Sequence, residues 1–329
     1  MTRSVRWAGF EDLWYAPGAI RRTPEEILSP GRSPAIRARV ARLVRRAPEV
    51  MVKVSGRTRD TAHLLAHLDY INRHGGLALE GRDGTLLDTR DSIRDVADDW
   101  GAMAMADSRR RATTPVSVSV VLSMPAGTSA FAVRDAARDF AASSYPQFDY
   151  VFALHTDAPH PHVHLAIRAL GEHGERLNPK KADLAAWREA FAQALRDRGV
   201  EAEATPRRAR GVLDRNESVS ARRLRERHGK GQAAESSRRA SDIEPGLETV
   251  VRPGATETLA RQRLIRRGYL LLALQLSRSE SPQDRGLGAE LLDFVAQLPK
   301  PDWHVRSMGL GQSGRRALKR SERPPGRER

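Results

Sequence analysis

Residues 150–170, YVFALHTDAPHPHVHLAIRAL, leave this chain little choice of local fold. Two apolar runs, 150–154 and 163–170, flank a turn rich in Asp and Pro, which is the pattern of a β-hairpin. Side chains on a strand alternate between faces. His162 and His164 therefore project to one side, while Val163, Leu165 and Ile167 point to the other, towards a core. The antiparallel partner strand brings His155 alongside the pair. Four of the ten histidines fall in this hairpin, and three of them (His155, His162 and His164) surround one point. A three-histidine set with open positions suits a catalytic divalent ion better than a closed structural one. Asp157 is placed to orient a ligating ring from behind. His160, in the turn before Pro161, is placed to touch a substrate or accept a proton. The competing reading is a set of solvated turn histidines, but packing alone does not select an H-x-H pair with a companion across the hairpin.

The rest of the pattern predicts an α+β fold: a central antiparallel sheet carrying the histidines, helices on its outer face, and a small C-terminal helical region. Val50, Val52 and Val54 alternate in a first strand at 49–55, followed by the turn GRTRD. A helix follows at 60–74, buried along Leu64, Leu65, Leu68 and Ile71 and ended by Gly75-Gly76. Tyr70 lies on a different stripe with His63, His67 and His74, where helix pattern alone makes it a boundary aromatic. A second helix, 88–105, buries Ile93, Val96, Trp100 and Met103. A strand at 116–122 runs into SMPAGT and then a helix to about 142. Ser123 at that junction is a candidate phosphate contact, against the bland alternative of helix capping. A last helix, 183–198, has Leu184, Trp187, Phe191 and Leu195 as its stripe. Arg73, Lys180, Lys181, Arg207 and Arg208 are candidate contacts to a nucleic-acid backbone, although charge runs often only solvate a surface.

Charge narrows the partner. Fifty-six Lys and Arg against 41 Asp and Glu leave +15, which favours a polyanion, nucleic acid before an acidic membrane. Aromatic residues make up 5%, too few for a broad base-stacking platform. The absence of cysteine excludes disulfides, Cys-ligated zinc and thiol catalysis, and agrees with a reducing cytoplasm. No apolar run is long enough to span a bilayer, and the N-terminal residues lack the apolar core of a signal peptide, so a soluble intracellular protein is expected. Five segments follow from composition: a basic extension at 1–48 with a helix at 33–46, the main domain at 49–215, a charged linker at 216–252, a helical region at 253–304 on which Trp303 packs, and a disordered basic tail at 305–329.

Three stretches resemble the motifs of one family. H-x-D-x-x-H-P-H-x-H at 155–164 is similar to the third motif of the HUH relaxases, the conjugative DNA nickases, in the mobilisation-type-P branch that includes the T-DNA border relaxase. HLDYINRHGGLALE at 67–80 resembles their first motif, whose tyrosine is the nucleophile, and SVVLSMPAGTS at 119–129 their second. The resemblance covers roughly 49–215, with the motifs in the family's order.

It implies a strand transferase rather than a hydrolase. Tyr70 would attack the scissile phosphate of single-stranded DNA at an origin of transfer and form a 5′-phosphotyrosyl bond. His155, His162 and His164 would hold Mg²⁺ or Mn²⁺, with Zn²⁺ also able to occupy the site. His160 and Asp157 are both candidates to take the tyrosine proton. The implied partners are an accessory DNA-binding protein and a type IV coupling protein, with the protein cytoplasmic or exported covalently bound to DNA. Two other classes stay open: a water-activating metal-dependent phosphodiesterase in which Tyr70 is structural, and a non-catalytic DNA-binding mobilisation protein.

Overall fold

The computed structural model describes residues 34–211 and 255–298. Much of the expected basic extension, nearly all of the linker, Trp303 and the basic tail lie outside the described residues. The chain divides into two compact units. The described parts of one are 34–206 and 275–291, and those of the other are 207–211, 255–274 and 292–298.

The first unit is built on a six-stranded sheet of order β1-β4-β6-β5-β2-β3, antiparallel throughout. Its strands are β1 (Met51–Thr58), β2 (Leu79–Gly81), β3 (Leu86–Leu87), β4 (Ser117–Ser123), β5 (Tyr150–His155) and β6 (His162–Arg168). The expected histidine hairpin is β5–β6, with His155 opposite His162 and Ala153 opposite His164. Helices α1 (Pro34–Val44), α2 (Thr61–Ile71), α3 (Arg90–Ala106), α4 (Ala130–Ser144) and α5 (Lys181–Asp197) pack around it. Strand alternation creates two cores. Val118, Val120 and Leu122 of β4 and Val163, Leu165 and Ile167 of β6 face α4 and α5, with Phe140, Trp187, Phe191 and Leu195 in the same cluster. Val151, Ala153 and Ala166 face the other way, onto Leu64, Leu68, Ile71, Ile93, Ala97 and Trp100 of α2 and α3. Helices thus cover both faces, and α2 lies on the side of the histidines.

Several local expectations shift. β1 does not turn at Gly56; it continues to Thr58 through a bulge between Val54 and Gly56, and the Thr58 and Ser117 hydroxyls lie 2.7 Å apart. Met103 is 43% exposed, because the buried stripe of α3 runs Ile93, Ala97, Trp100, Ala104, closer to a 3.6-residue period. Helix α2 stops at Ile71 rather than His74, since Arg73, His74 and Gly75 take φ values of 56°, 55° and 93° in the left-handed region. Before β1, helix α1 is tied to the domain by Arg42, whose Nε donates to the fully buried Glu203 at 2.8 Å, with Arg39 beside it at 3.4 Å. Helices α6 (Ala255–Ser277) and α7 (Pro282–Gln297) form the expected C-terminal helical pair. Within the second unit, the Tyr269 hydroxyl donates to the Ala209 carbonyl at 2.8 Å, and its ring packs edge-on to Phe294. Among the described residues, no helix is long and apolar enough to cross a membrane.

Candidate metal centre and nucleophile

The register of β4, β5 and β6 places the site. One cross-strand row on the histidine face reads Met51, Ser123, His162, His155; the next reads Lys53, Val121, His164, Ala153. The ring centroids of His155, His162 and His164 lie 4.5 to 5.2 Å apart, and one ligand nitrogen from each falls within 4.8 Å of the others.

Hydrogen bonds decide which nitrogens face inward. His155 Nε2 lies 2.7 Å from the Ile71 carbonyl, and His162 Nδ1 lies 3.0 Å from the carbonyl of His160. A carbonyl only accepts, so those nitrogens carry the protons and leave Nδ1 of His155 and Nε2 of His162 as lone pairs. Backbone carbonyls thus orient the rings, an arrangement common behind metal-ligating histidines. His155 Nδ1 is buried with no hydrogen-bond partner. A buried nitrogen left orphaned and aimed at two further imidazoles is what a metal ligand looks like without its ion. The residues therefore fit a divalent cation. Burial, reinforced by the neighbouring imidazoles His155 and His162, holds His164 down at about 3. Burial lowers His155 as well, against the opposing effect of its bond to Ile71. Both rings stay neutral and able to ligate at ordinary pH.

Tyr70, near the end of α2, is 48% exposed, and its ring meets His164 edge-on with centroids 5.8 Å apart. The Arg73 guanidinium sits 5.6 Å above the tyrosine ring and donates to Asp157 at 2.6 Å. Burial works to raise Asp157, but the Arg73 hydrogen bond and charge hold its carboxyl below the usual range. Asp157 is thus paired with Arg73, and carbonyls take the ring-orienting part expected of it. His160 is exposed and accepts from the Ala126 amide at Nδ1, 3.1 Å away, fastening the hairpin turn to the loop after β4. Ser123 is buried, its hydroxyl turned onto the carbonyls of Pro161 and Met124 at 3.3 and 3.4 Å.

Lys180 and Lys181 stand exposed where α5 begins, and α5 packs on the face opposite the histidines. Arg207 opens the 3-10 turn Arg207–Arg210, in the second unit, and the side chain of Arg208 lies outside the described residues. Of the histidines expected to form a stripe with Tyr70, His63 on α2 pairs with Asp60 and His74, in the turn after α2, with Asp69, both exposed. Only His67 turns inward, with Nδ1 at 3.4 Å from Ser119 Oγ and burial lowering its pKa. Lys53 went unnoticed in the sequence. It shares a row and a face with His164, two strands or about 10 Å away, and is exposed. The alternation of EVMVKVS signals its face, but only the strand order shows that it lies beside the histidines.

Comparison with known proteins gives likenesses over the same stretch. Residues 70–200 match the model described as "Relaxase: MobA/VirD2-like, nuclease domain". That stretch is similar to the nuclease domain of MobA/VirD2-like relaxases. The span begins at Tyr70 and includes the whole histidine hairpin. The T-DNA border endonuclease VirD2 of Rhizobium radiobacter is 28% identical over 200 residues, covering 54% of this chain and 47% of that protein. VirD2 of Agrobacterium fabrum is 27% identical over 188 residues, 51% of this chain and 42% of its own. VirD2 of Rhizobium rhizogenes is 27% identical over 188 residues, 51% of this chain and 43% of its own. The chain thus spans less than half the length of these curated relatives.

Proposed function

We propose that this relaxase domain nicks and rejoins a single DNA strand through a covalent bond to Tyr70. The observation that carries the reading is the half-exposed Tyr70 ring standing edge-on to His164 of the triad. A triad that only activated water would need no phenol there.

In this reaction Tyr70 Oη attacks the phosphorus of the scissile phosphodiester, its proton is lost, and the bond to the 3′ oxygen breaks. The 3′ oxygen leaves with the electron pair and is protonated. The 5′ end stays joined to the tyrosine, and attack by a 3′-hydroxyl reverses the step. His155, His162 and His164 would hold a Mg²⁺, Mn²⁺ or Zn²⁺ ion, which supplies positive charge to the non-bridging oxygens as negative charge develops. Arg73 and Lys53 flank the triad and can take up neighbouring phosphates; Arg73 does so by releasing Asp157. Asp157, once freed, and His160, whose Nδ1 accepts from the Ala126 amide, are the two candidate acceptors for the tyrosine proton. Ser123 positions the end of β4 beside His162.

On this reading the strand belongs to the origin of transfer of a plasmid or integrative element. An accessory DNA-binding protein and a type IV coupling protein are the partners, and nicking in the cytoplasm precedes export with the strand. Single-stranded oligonucleotides from the chain's own genetic neighbourhood test it on a denaturing gel with Mn²⁺. The expected result is a protease-sensitive, SDS-resistant adduct that Tyr70→Phe abolishes. Cleavage that persists in Tyr70→Phe would overturn the tyrosine mechanism in favour of water activation.

A further inference from the structure

The histidine face of the sheet is covered unevenly. Helix α2 lies over β4 at Ser119, where His67 Nδ1 stands 3.4 Å from the serine hydroxyl. One row nearer the triad the cover stops: Val121 is only half-buried, and Lys53 opposite it on β1 is exposed. In the next row Met51, opposite Ser123, is 47% exposed. The opening runs on along β1, since a Cβ at Gly56, opposite Ser119, would meet nothing within 4 Å. Register places this strip against the triad, because Ser123 pairs with His162 and Val121 with His164. A bare strip of sheet thus leads from the histidines to the edge strand β1.

Its chemistry favours one kind of occupant. Lys53 is the only charged side chain on the strip, and no carboxylate among the described residues pairs with it, whereas Arg73 is held by Asp157. A lysine on an edge strand often guards against pairing with another sheet. A guard does not explain Met51, two residues away on the same face, whose exposed thioether invites an apolar contact. A strand that is anionic along its backbone and apolar along its bases accounts for both. The ammonium takes a phosphate as a point charge, and the polarisable thioether takes a sugar or base. The bulge between Val54 and Gly56 bends β1 just after Lys53, and bulges beside reactive sites re-aim side chains in this way. Lys53 lies two strands, or about 10 Å, from His164, a gap that its own side chain narrows. The phosphate it meets is therefore near the scissile one on the same strand, and not the scissile one itself.

We propose that this bare strip is the path by which the single strand leaves the triad, over β4 and β1 to the sheet edge. Lys53 holds a phosphate neighbouring the scissile one, and Met51 carries the sugar or base beside it. The proposal rests on the nickase reading only for the identity of the strand.

The test uses the full chain carrying Tyr70→Phe, so that binding is read without cleavage. The probe is a fluorescein-labelled oligothymidylate, because a phosphate contact carries no sequence information. Affinity is measured over a range of salt concentrations. Loss of one phosphate contact should flatten the plot of log K against log salt by about 0.7. Lys53→Cys should show that change and bind about three- to tenfold more weakly at low salt. The chain has no cysteine of its own, so alkylating the introduced thiol with bromoethylamine rebuilds a lysine-like ammonium at one position and should restore both readings. Arg188→Gln, on α5 across the sheet from the histidines, removes one charge elsewhere and should leave the slope as it was. A slope unchanged in Lys53→Cys, an equal change in Arg188→Gln, or no binding of the probe would each overturn the path. Adduct formation by the chain with Tyr70 intact is measured alongside, on oligonucleotides from its own genetic neighbourhood. An adduct with no Lys53 dependence of binding sinks the path and keeps the nickase; a Lys53-dependent slope without any adduct keeps the path and sinks the nickase.

Discussion

His155 links the metal centre to the helix that carries the tyrosine, and two substitutions separate those tasks. In His155→Ala both ring nitrogens go. In His155→Gln the amide nitrogen can still donate to the Ile71 carbonyl, while the amide oxygen is a poorer ligand than the imidazole Nδ1 for a transition-metal ion. A four-ligand structural zinc site binds with about 10–16 kcal/mol, or roughly 3 kcal/mol per ligand, so losing one of three histidines should weaken metal binding by about 100-fold in both variants. Folding should respond differently. His155 is 1% exposed, so its removal leaves a cavity and an unsatisfied buried carbonyl. Together these should cost about 2–4 kcal/mol in the Ala variant, whereas Gln should cost about 1 kcal/mol. Calorimetric titration with Zn²⁺ or Mn²⁺ reads the first effect and urea unfolding of the metal-free protein the second. Metal affinity unchanged in the Gln variant would refute the ligand assignment, and equal destabilisation by Gln and Ala would refute the account of the Ile71 bond.

Three further substitutions or conditions probe the frame around the site. Glu203→Ala removes one of the partners of the buried Arg39 and leaves Arg42 and the Thr205 hydroxyl without this carboxylate; it should cost about 3 kcal/mol in denaturant unfolding, the low end for a broken buried pair because Arg39 keeps Glu189. Gly101 lets α3 approach α2, since a Cβ there would stand 2.0 Å from Thr61 Oγ1; Gly101→Ala should destabilise by about 1–3 kcal/mol, and adding Thr61→Gly should recover part of that in thermal melts. Acid should weaken the metal-free fold in a particular window. His155 and His164 are held below the ordinary imidazole range when folded, His164 at about 3, while the unfolded chain takes up protons from about pH 6.5 downward. Their contribution is therefore intact above that pH and lost as it falls, and a variant with Gln at both positions should lose less Tm between about pH 7 and 5.

The hairpin was legible because its alternation is strict and its turn is short, so two faces and three histidines followed from spacing alone. What escaped depends on partners remote in sequence. Nothing local to GRT marks it as strand; it pairs because Ser117–Ser119 of β4 offers an edge beside it. The small hairpin β2–β3 did carry a signal, Asp83-Gly84, and Asp83 accepts from the Thr85 amide and hydroxyl in the turn, but strands of three and two residues have too little pattern to count. The ion pairs of Arg39 and Arg42 with Glu203 join residues more than 160 positions apart, beyond any periodicity. Asp157 shows the same limit within the site: its motif position is plain, while its pairing with Arg73 requires knowing that α2 ends over the hairpin turn.

That ending explains how a tyrosine on a helix comes to lie beside histidines on a sheet. After Ile71 the chain spends three residues in left-handed conformations, and two of them, Arg73 and His74, are not glycine. Such positions cost about 1 kcal/mol or more each and persist only where surrounding contacts hold them. Here the contacts are specific: the Gly75 amide donates to the Asn72 side chain, His74 pairs with Asp69, and Arg73 reaches across to Asp157. The chain then turns back, with the Leu77 amide donating to the Asn72 carbonyl, to enter β2 at the edge of β5. The strained turn lets α2 stop directly over the triad, so that the carbonyl of the residue after Tyr70 meets His155. One ring thereby holds the tyrosine helix through Nε2 and leaves Nδ1, buried and without a hydrogen-bond partner, for the proposed metal. If a cation loads at the triad as proposed, any shift of that ring is felt through the Ile71 carbonyl one residue from Tyr70, so the same imidazole would govern both the coordination of the ion and the reach of the proposed nucleophile.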